Sequence, residues 1–499
     1  MIKKFNLLTT IIVIQLFISC AIIKQPVHRV YAHHSKLKPE LNELFNDPEF
    51  GNAILGVSVQ SLHSGEYLYL RNENKNLIPA SNLKLFTTAT ALTRLSPEYH
   101  FQTNVYYTGS ISDDGTLNGD IIIRGSGDPS ISGRYHDNKI TYVLDSWADS
   151  LFKKGIRSVT GYVIGDDNYF DDEIMGEGWA WDYQSDWYAA QISALSFNDN
   201  CIDIIISPGD TIGAPVNISI EPDVEYIEVA NTAITVLDRP HQGVSASRDR
   251  GTNRIHIEGA LPLDAKQKRL WVSVENPTLF TASAFRQSLE HRGIEISGPA
   301  LDIDDFSDYN YSVSEDYLLA EYTSPPLSDI VTTVNKVSQN LYSELLLRTL
   351  GARFKNHGSA EAGIEIVKSF ITSIGINPLK FNMSDGSGLS RLNLITAKQI
   401  TTLLRYMKNS PVADVFFNSL PVAGVNGSLK HRMLNSNAIG KVVAKTGYLG
   451  NVVSLSGYIT TENDELVFSM IINNYTVPTS MAHSLQDLIC ERLVHYSSE

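Results

Sequence analysis

Hydrophobic and polar positions alternate from Ile54 to Ser61, stop at Ser64-Gly65, and resume from Tyr67 to Leu70. A period of two with a turn between predicts a strand pair. Pro79-Ala80-Ser81 then opens a segment with apolar residues at Leu85, Phe86, Ala89 and Leu92, the spacing of a helix face. From about 105 to 300 the pattern changes. Short β-like runs (Gly119 to Arg124, Ser158 to Ile164, Cys201 to Ser207, Arg254 to Glu258, Leu270 to Val274) alternate with Gly, Asp and Pro turns, and one helix, Ile140 to Lys154, stands among them. Helical periodicity returns at Leu327 to Leu350, Ser359 to Ile374, Thr396 to Met407 and Val412 to Asn418. Strands follow at Lys441 to Lys445, Val452 to Ile459 and Glu465 to Asn473, and residues 479 to 495 form a last helix. The order predicts an α/β domain interrupted by inserted, mostly β material.

The N-terminus carries a different signal. Lys3 and Lys4 precede an apolar run from Leu7 to Ile18, too short for a confident membrane span. Residues 1–20 therefore read as a secretion signal, and 21–35 as a tether. Ser19-Cys20 resembles a bacterial lipobox, which would make Cys20 the lipidated residue, although Phe17 stands where Leu is usual. The alternative is a plain cleaved signal. Either reading places the protein in the periplasm or cell envelope, and the first anchors it to a membrane.

Length and charge narrow the class. A chain of 499 residues exceeds one ordinary core. A net charge of −15 argues against nucleic-acid binding, which needs a basic face. Cys201 and Cys490 are too few and too distant for a disulfide scaffold. No cluster shows metal-ligand spacing, so neither metal nor cofactor is expected.

Three short motifs carry candidate chemistry: Ser81-x-x-Lys84, Ser338-Gln339-Asn340 and Lys445-Thr446-Gly447. Each is weak alone. Ser-x-x-Lys also begins at Ser35 and Ser150, and Ser-x-Asn also at Ser196. Ser35 has no apolar helix behind it, and Ser150 lies inside an amphipathic helix. Ser81 alone sits at a helix start, where a spacing of three puts Ser81 and Lys84 on one face. Taken singly, Ser81 reads as an N-cap, Ser338 and Asn340 as helix-surface residues, and Lys445 to Gly447 as a strand end. Their joint occurrence in this order reverses those readings.

The chemistry is consistent. A serine hydroxyl needs an adjacent base, and Lys84 serves only when neutral, which requires desolvation or a nearby cation such as Lys445. Ser338 is placed to relay a proton between Lys84 and a leaving amine, and Asn340 to offer its amide to a substrate backbone. The Lys445 strand offers a cation and the Thr446 hydroxyl to a terminal carboxylate. The N–H groups of Ser81 and Tyr448 would form an oxyanion hole.

With these motifs the chain resembles the low-molecular-mass class C penicillin-binding proteins, the D-Ala-D-Ala carboxypeptidase/endopeptidase family. Further family-like stretches are Gly125-Ser126-Gly127-Asp128-Pro129, Gly165-Asp166-Asp167, Ser193 to Asn198, Asp385 to Arg391 and Ser419 to Gly424. The resemblance implies an α/β (α+β) serine transpeptidase/β-lactamase-like domain, residues 36–105 and 301–499, with a large, mostly β, two-domain insertion at 106–300. It implies Ser81 as acyl-enzyme nucleophile, Lys84 as base, and peptidoglycan stem peptides as substrates, with β-lactams as covalent inhibitors. Asp182, after Trp181 and with Asp186 behind it, is the implied partner for the free amino group of a diamino acid. Two positions depart from the pattern: Gln339 where Asp is frequent, and Tyr448 where a small hydroxyl residue is frequent. A β-lactamase or esterase on the same nucleophile, and a non-catalytic wall-binding protein, are the competing functions.

Overall fold

A computed structural model describes residues 34–238 and 243–497. The signal-like segment 1–20, Cys20 and most of the tether lie outside the described residues. No helix among the described residues is long and apolar enough to cross a membrane.

The part of the chain that carries the three motifs is built on a five-stranded antiparallel sheet drawn from both chain ends. Tyr67–Arg71 pairs with Ile54–Ser61, which pairs with Glu465–Asn473, then Val452–Thr460, and finally Val442–Leu449 at the far edge. The central strands read as continuous apolar runs because both faces are covered. Leu466, Phe468, Met470 and Ile472 face the helices His34–Phe45 and Thr479–Val494. Val467 and Ile471 face the opposite core, which holds Leu85, Phe86, Leu345 and Leu404. Truncating one such large residue to alanine costs about 2–5 kcal/mol.

Two expected helices differ in detail, and both differences fall at the motifs. Leu327 to Leu350 is two helices, Leu327–Lys336 and Asn340–Lys355, because Ser338 adopts φ 64° and cannot continue an α-helix. The helix expected from Ser81 begins as a 3₁₀ turn, Ala80–Leu83, and turns α-helical only at Lys84.

The middle section is a mixture of small sheets, short 3₁₀ turns and, among the described residues, two α-helices. Besides Tyr142–Lys153, a helix runs from Pro277 to His291; the apolar and polar residues there were too evenly mixed to mark it in the sequence. The two pack through Trp147 and Phe285, whose ring centroids are 5.6 Å apart at 82°. The run Ser158 to Ile164 is two strands, Ser158–Val159 and Val163–Asp166. The chain enters and leaves this section side by side. Gln102–Tyr107 pairs antiparallel with Leu318–Thr323, and Ser324 N–H donates to Phe101 C=O at 3.0 Å.

Candidate active site

Ser81 stands in the 3₁₀ turn ahead of the Lys84 helix, and the turn is forced by Ala80 at φ 47°. A 3₁₀ turn has three residues per turn, so Ser81 and Lys84 eclipse. Ser81 makes no side-chain capping bond. Its Oγ instead accepts a hydrogen bond from Lys84 Nζ at 3.0 Å. Lys84 is fully buried and also donates to Asn340 Oδ1 at 2.6 Å and to Ser387 C=O at 2.6 Å. Burial pulls its amine from the ordinary lysine range to about 7, against the opposing pull of Asp385 and Glu344. The cause is therefore desolvation rather than Lys445, the cation expected from the sequence.

The break between helices delivers the second motif. Ser338 Oγ accepts from Lys445 Nζ at 2.7 Å, not from Lys84. Asn340 begins the following helix, and both ends of its amide are engaged: Oδ1 by Lys84, and Nδ2 donating to Tyr188 C=O at 2.7 Å. It thus joins the Lys84 site to the middle section, a link that the sequence reading did not foresee. Gln339 turns away and donates to Asp199 at 3.2 Å.

The third motif lies on the edge strand Val442–Leu449. Lys445 is fully buried, and desolvation, then the neighbouring Lys84 charge, hold it well below the lysine range. Ala444 N–H donates to Pro421 C=O on the open edge. Alternation along the strand then aims the N–H groups of Thr446 and Tyr448 the same way. Thr446 Oγ1 shares a hydrogen bond with Ser428 Oγ at 2.7 Å. Gly447 permits the closest approach: a Cβ there would lie 2.2 Å from Ser454 Oγ and 3.0 Å from Ser81 N. Asn82 Nδ2 donates to Lys445 C=O at 2.9 Å, tying the Ser81 turn to the strand.

Beneath Lys84 lies a buried network that the motifs did not announce. Glu344 accepts from the N–H groups of Gly386 and Ser387 at 2.9 and 2.8 Å, which aims Ser387 C=O at Lys84. Burial first, then Asp385, push the Glu344 carboxyl up. Asp385 accepts from Gly388 N–H, Ser390 N–H, Asn393 and the Trp179 indole. One signal was available: a Glu344–Arg348 pair within the mostly apolar stretch Leu341 to Leu350, followed by the Asp-Gly-Ser-Gly turn at 385 to 388.

Asp182 is exposed on the one-turn helix Trp181–Tyr183. Burial first, then Asp186, with smaller effects of Tyr183 and Asp182, raise the Tyr188 phenol. The Ser196 and Asn198 pair sits in the middle section and holds a turn, with Asn198 Nδ2 on Asp203 at 3.0 Å. Ser150 Oγ bonds its own helix at Ser146 C=O. Asp167, Asp302 and Asp304 also converge there, with Asp167 accepting from Thr278 at 2.5 Å.

The model of the D-Ala-D-Ala carboxypeptidase 3 (S13) family matches residues 37–492. A D-alanyl-D-alanine carboxypeptidase of Actinomadura sp. (strain R39) is 32% identical over 484 residues, covering 93% of this chain and 86% of that protein. The crystal structure of penicillin binding protein 4 (dacB) from Haemophilus influenzae superposes with a TM-score of 0.78 at 24% identity, over 91% of this chain and 99% of that one. Its complex with a β-lactam gives a TM-score of 0.71 at 24% identity, over 91% and 98%.

Proposed function

Because the chain belongs to the D-Ala-D-Ala carboxypeptidase 3 (S13) family, we propose that Ser81 is the nucleophile of a penicillin-sensitive peptidase acting on D-Ala-D-Ala termini of peptidoglycan stem peptides. The observation that carries the assignment is Lys84 Nζ, buried and near neutrality, 3.0 Å from Ser81 Oγ. Neutral Lys84 takes the hydroxyl proton as Oγ attacks the carbonyl carbon of the penultimate D-Ala. The oxyanion is held by the N–H groups of Ser81 and Tyr448, the latter on the open strand edge. The C–N bond then breaks. The proton held by Lys84 reaches the leaving amine through Ser338, which bonds Lys445 in the free protein and must turn to Lys84 to act as the relay, and D-Ala departs from a Ser81 ester. Water attacks the ester and restores the serine.

Lys445 and Thr446 receive the substrate's terminal carboxylate. In the free protein Lys445 is held low by burial and by Lys84. A carboxylate beside it favours its charged form, so binding and protonation are coupled. A β-lactam presents the same carboxylate and a strained amide, and ends as a stable Ser81 ester. Slow deacylation separates this reading from a β-lactamase.

Several finer assignments complete the proposal. Asp182 receives the free amino group of the diamino acid in the stem peptide. The catalytic domain ends at Phe101 and resumes at Ser324, outside the expected bounds of 105 and 301, because Gln102–Tyr107 and Leu318–Thr323 pair with each other as part of the insertion. Residues 1–20 act as a signal, with Cys20 as lipid anchor on the periplasmic or cell-envelope side. Ser81→Ala tests the core assignment. It should lower acylation by benzylpenicillin about 10,000-fold or more. Intact-protein mass spectrometry checks this, and a covalent adduct on the variant at the parental rate would remove Ser81 from the role.

A further inference from the structure

Behind the turn that carries Ser338 lies a second cleft of about 720 Å³. One wall is a strand pair of the middle section. Cys201–Ser207 runs antiparallel to Lys268–Ser273, with Asp203 directly opposite Trp271. Alternation along the two strands puts Asp203, Arg269 and Trp271 on the cleft side, while Ile202, Ile204 and Val272 fill the core. The facing wall includes Val337 and Gln339, on either side of Ser338, and Trp187 stands beside them.

The lining has two chemical characters. Trp187 is 41% and Trp271 50% exposed, so two indole rings are left to solvent inside one concavity. Between them are planar polar groups already paired with one another. Arg269 bonds Asp203 at 2.7 Å and Glu221 at 3.0 Å, Arg134 bonds Asp199 at 2.6 Å, and the Trp271 indole N–H donates to Asp203 at 3.1 Å. The pairs hold the groups in place, and two guanidinium groups against three carboxylates leave a slight negative excess, which disfavours an anionic ligand and leaves spare donors and acceptors at their edges. Gln339 is only 2% exposed, and its side-chain oxygen has no hydrogen-bond partner.

A pyranose ring has an apolar C–H face and a rim of hydroxyls, which matches flat indoles beside ion-paired planar groups. We infer that this cleft is a second binding site that takes a neutral N-acetylated amino-sugar stretch of the glycan chain. The inference rests on the proposed peptidoglycan substrate. The placement suits that substrate. Val337 and Gln339 flank Ser338, and Trp187 adjoins Tyr188, whose carbonyl holds Asn340. A stem peptide of four or five residues reaches about 15 Å.

The test uses Trp271→Ala and Arg269→Ala separately in the full protein. The probe is glycan chains stripped enzymatically of their stem peptides, titrated by calorimetry. The parent should bind them, each variant should bind about tenfold more weakly, and Trp271→Phe should stay within about threefold. Digestion of intact sacculi should fall about fivefold in the alanine variants, with hydrolysis of a soluble D-Ala-D-Ala peptide within about twofold of parental. Should circular dichroism show Trp271→Ala to be misfolded, Arg269→Ala decides. No binding of stripped glycan to the parent, or equal binding by parent and folded variants, would overturn the inference. Weakened binding of free stem peptide alone would overturn it too, by making this a peptide site. Failure of the parent to hydrolyse the soluble peptide would instead strike the proposed function.

Discussion

Lys84 shows how burial sets chemistry at a single residue. Its amine is near neutrality because the Ser81 turn, Asn340 and Ser387 close it off from water, and two nearby carboxyl groups keep it from falling further. The sign of the pH dependence follows. The free amine exists above about pH 7 and is lost as pH falls through that value. The second-order rate of acylation by a β-lactam should therefore drop along an acid limb centred near 7, belonging to the coupled network rather than to one group. A rate flat from pH 5 to about pH 8 would remove Lys84 as the base. At Lys445 the expectation concerns the ligand. Lys445→Ala should weaken peptides ending in a free carboxylate about 30-fold or more, and the matching C-terminal amides far less. Equal losses, measured as kcat/KM, would mean that Lys445 acts mainly on the protonation of Lys84. The approach of Lys84 to Ser81 and the place of Lys445 on its strand were legible in the sequence because short spacing on a helix or strand brings such residues together. The Ser338–Lys445 bond and the anchoring of Asn340 on Tyr188 were not, because each joins positions set by tertiary packing.

At the scale of elements, the site is made where regular structure stops. The 3₁₀ turn at Ala80–Leu83 and the break at Ser338 each interrupt a helix that periodicity predicts as continuous. Hydrophobic spacing reports which face is buried, and the buried face runs on through both interruptions, so the pattern carries no mark of them. The strands of the main sheet were legible within a few residues because burial on both faces leaves long apolar runs. The helix Pro277–His291 was not, because Thr, Ser and Ala fill much of its buried face. Glu344 makes the coupling between elements testable. It sits on the helix Asn340–Lys355 and fixes the turn that aims Ser387 C=O at Lys84. Glu344→Gln should lower kcat about 10- to 100-fold while KM changes little, since it misplaces the base without touching substrate. It should also move the acid limb to lower pH, because a carboxylate that favours charged Lys84 is gone. An unchanged limb with a lowered melting temperature would reduce Glu344 to a structural role.

Across the whole molecule, the middle section does more than decorate the catalytic sheet. Tyr188 C=O, the Trp179 indole and Asp199 hold Asn340, Asp385 and Tyr342 respectively. Cutting at 106 and 300 would also split a sheet, since Gln102–Tyr107 and Leu318–Thr323 pair with each other. The natural junction is Phe101 to Ser324, already bonded side by side. A variant joined there by a short linker should fold, checked by circular dichroism, yet acylate about tenfold or more slowly than the parent. Undiminished acylation by that variant would show that the section plays no part in organising the site. The pairing of Ile54–Ser61 with Glu465–Asn473 has a consequence of another kind, in the order of assembly. Nearly the whole chain separates these partners, so closing the sheet is a late, slow event in folding. The middle section is continuous in sequence and can reach its own packing first. The first two strands, paired with each other, must wait for the last ones to be made, and a chain halted before Glu465 holds all three motifs and two separate strand pairs without the strand that joins them.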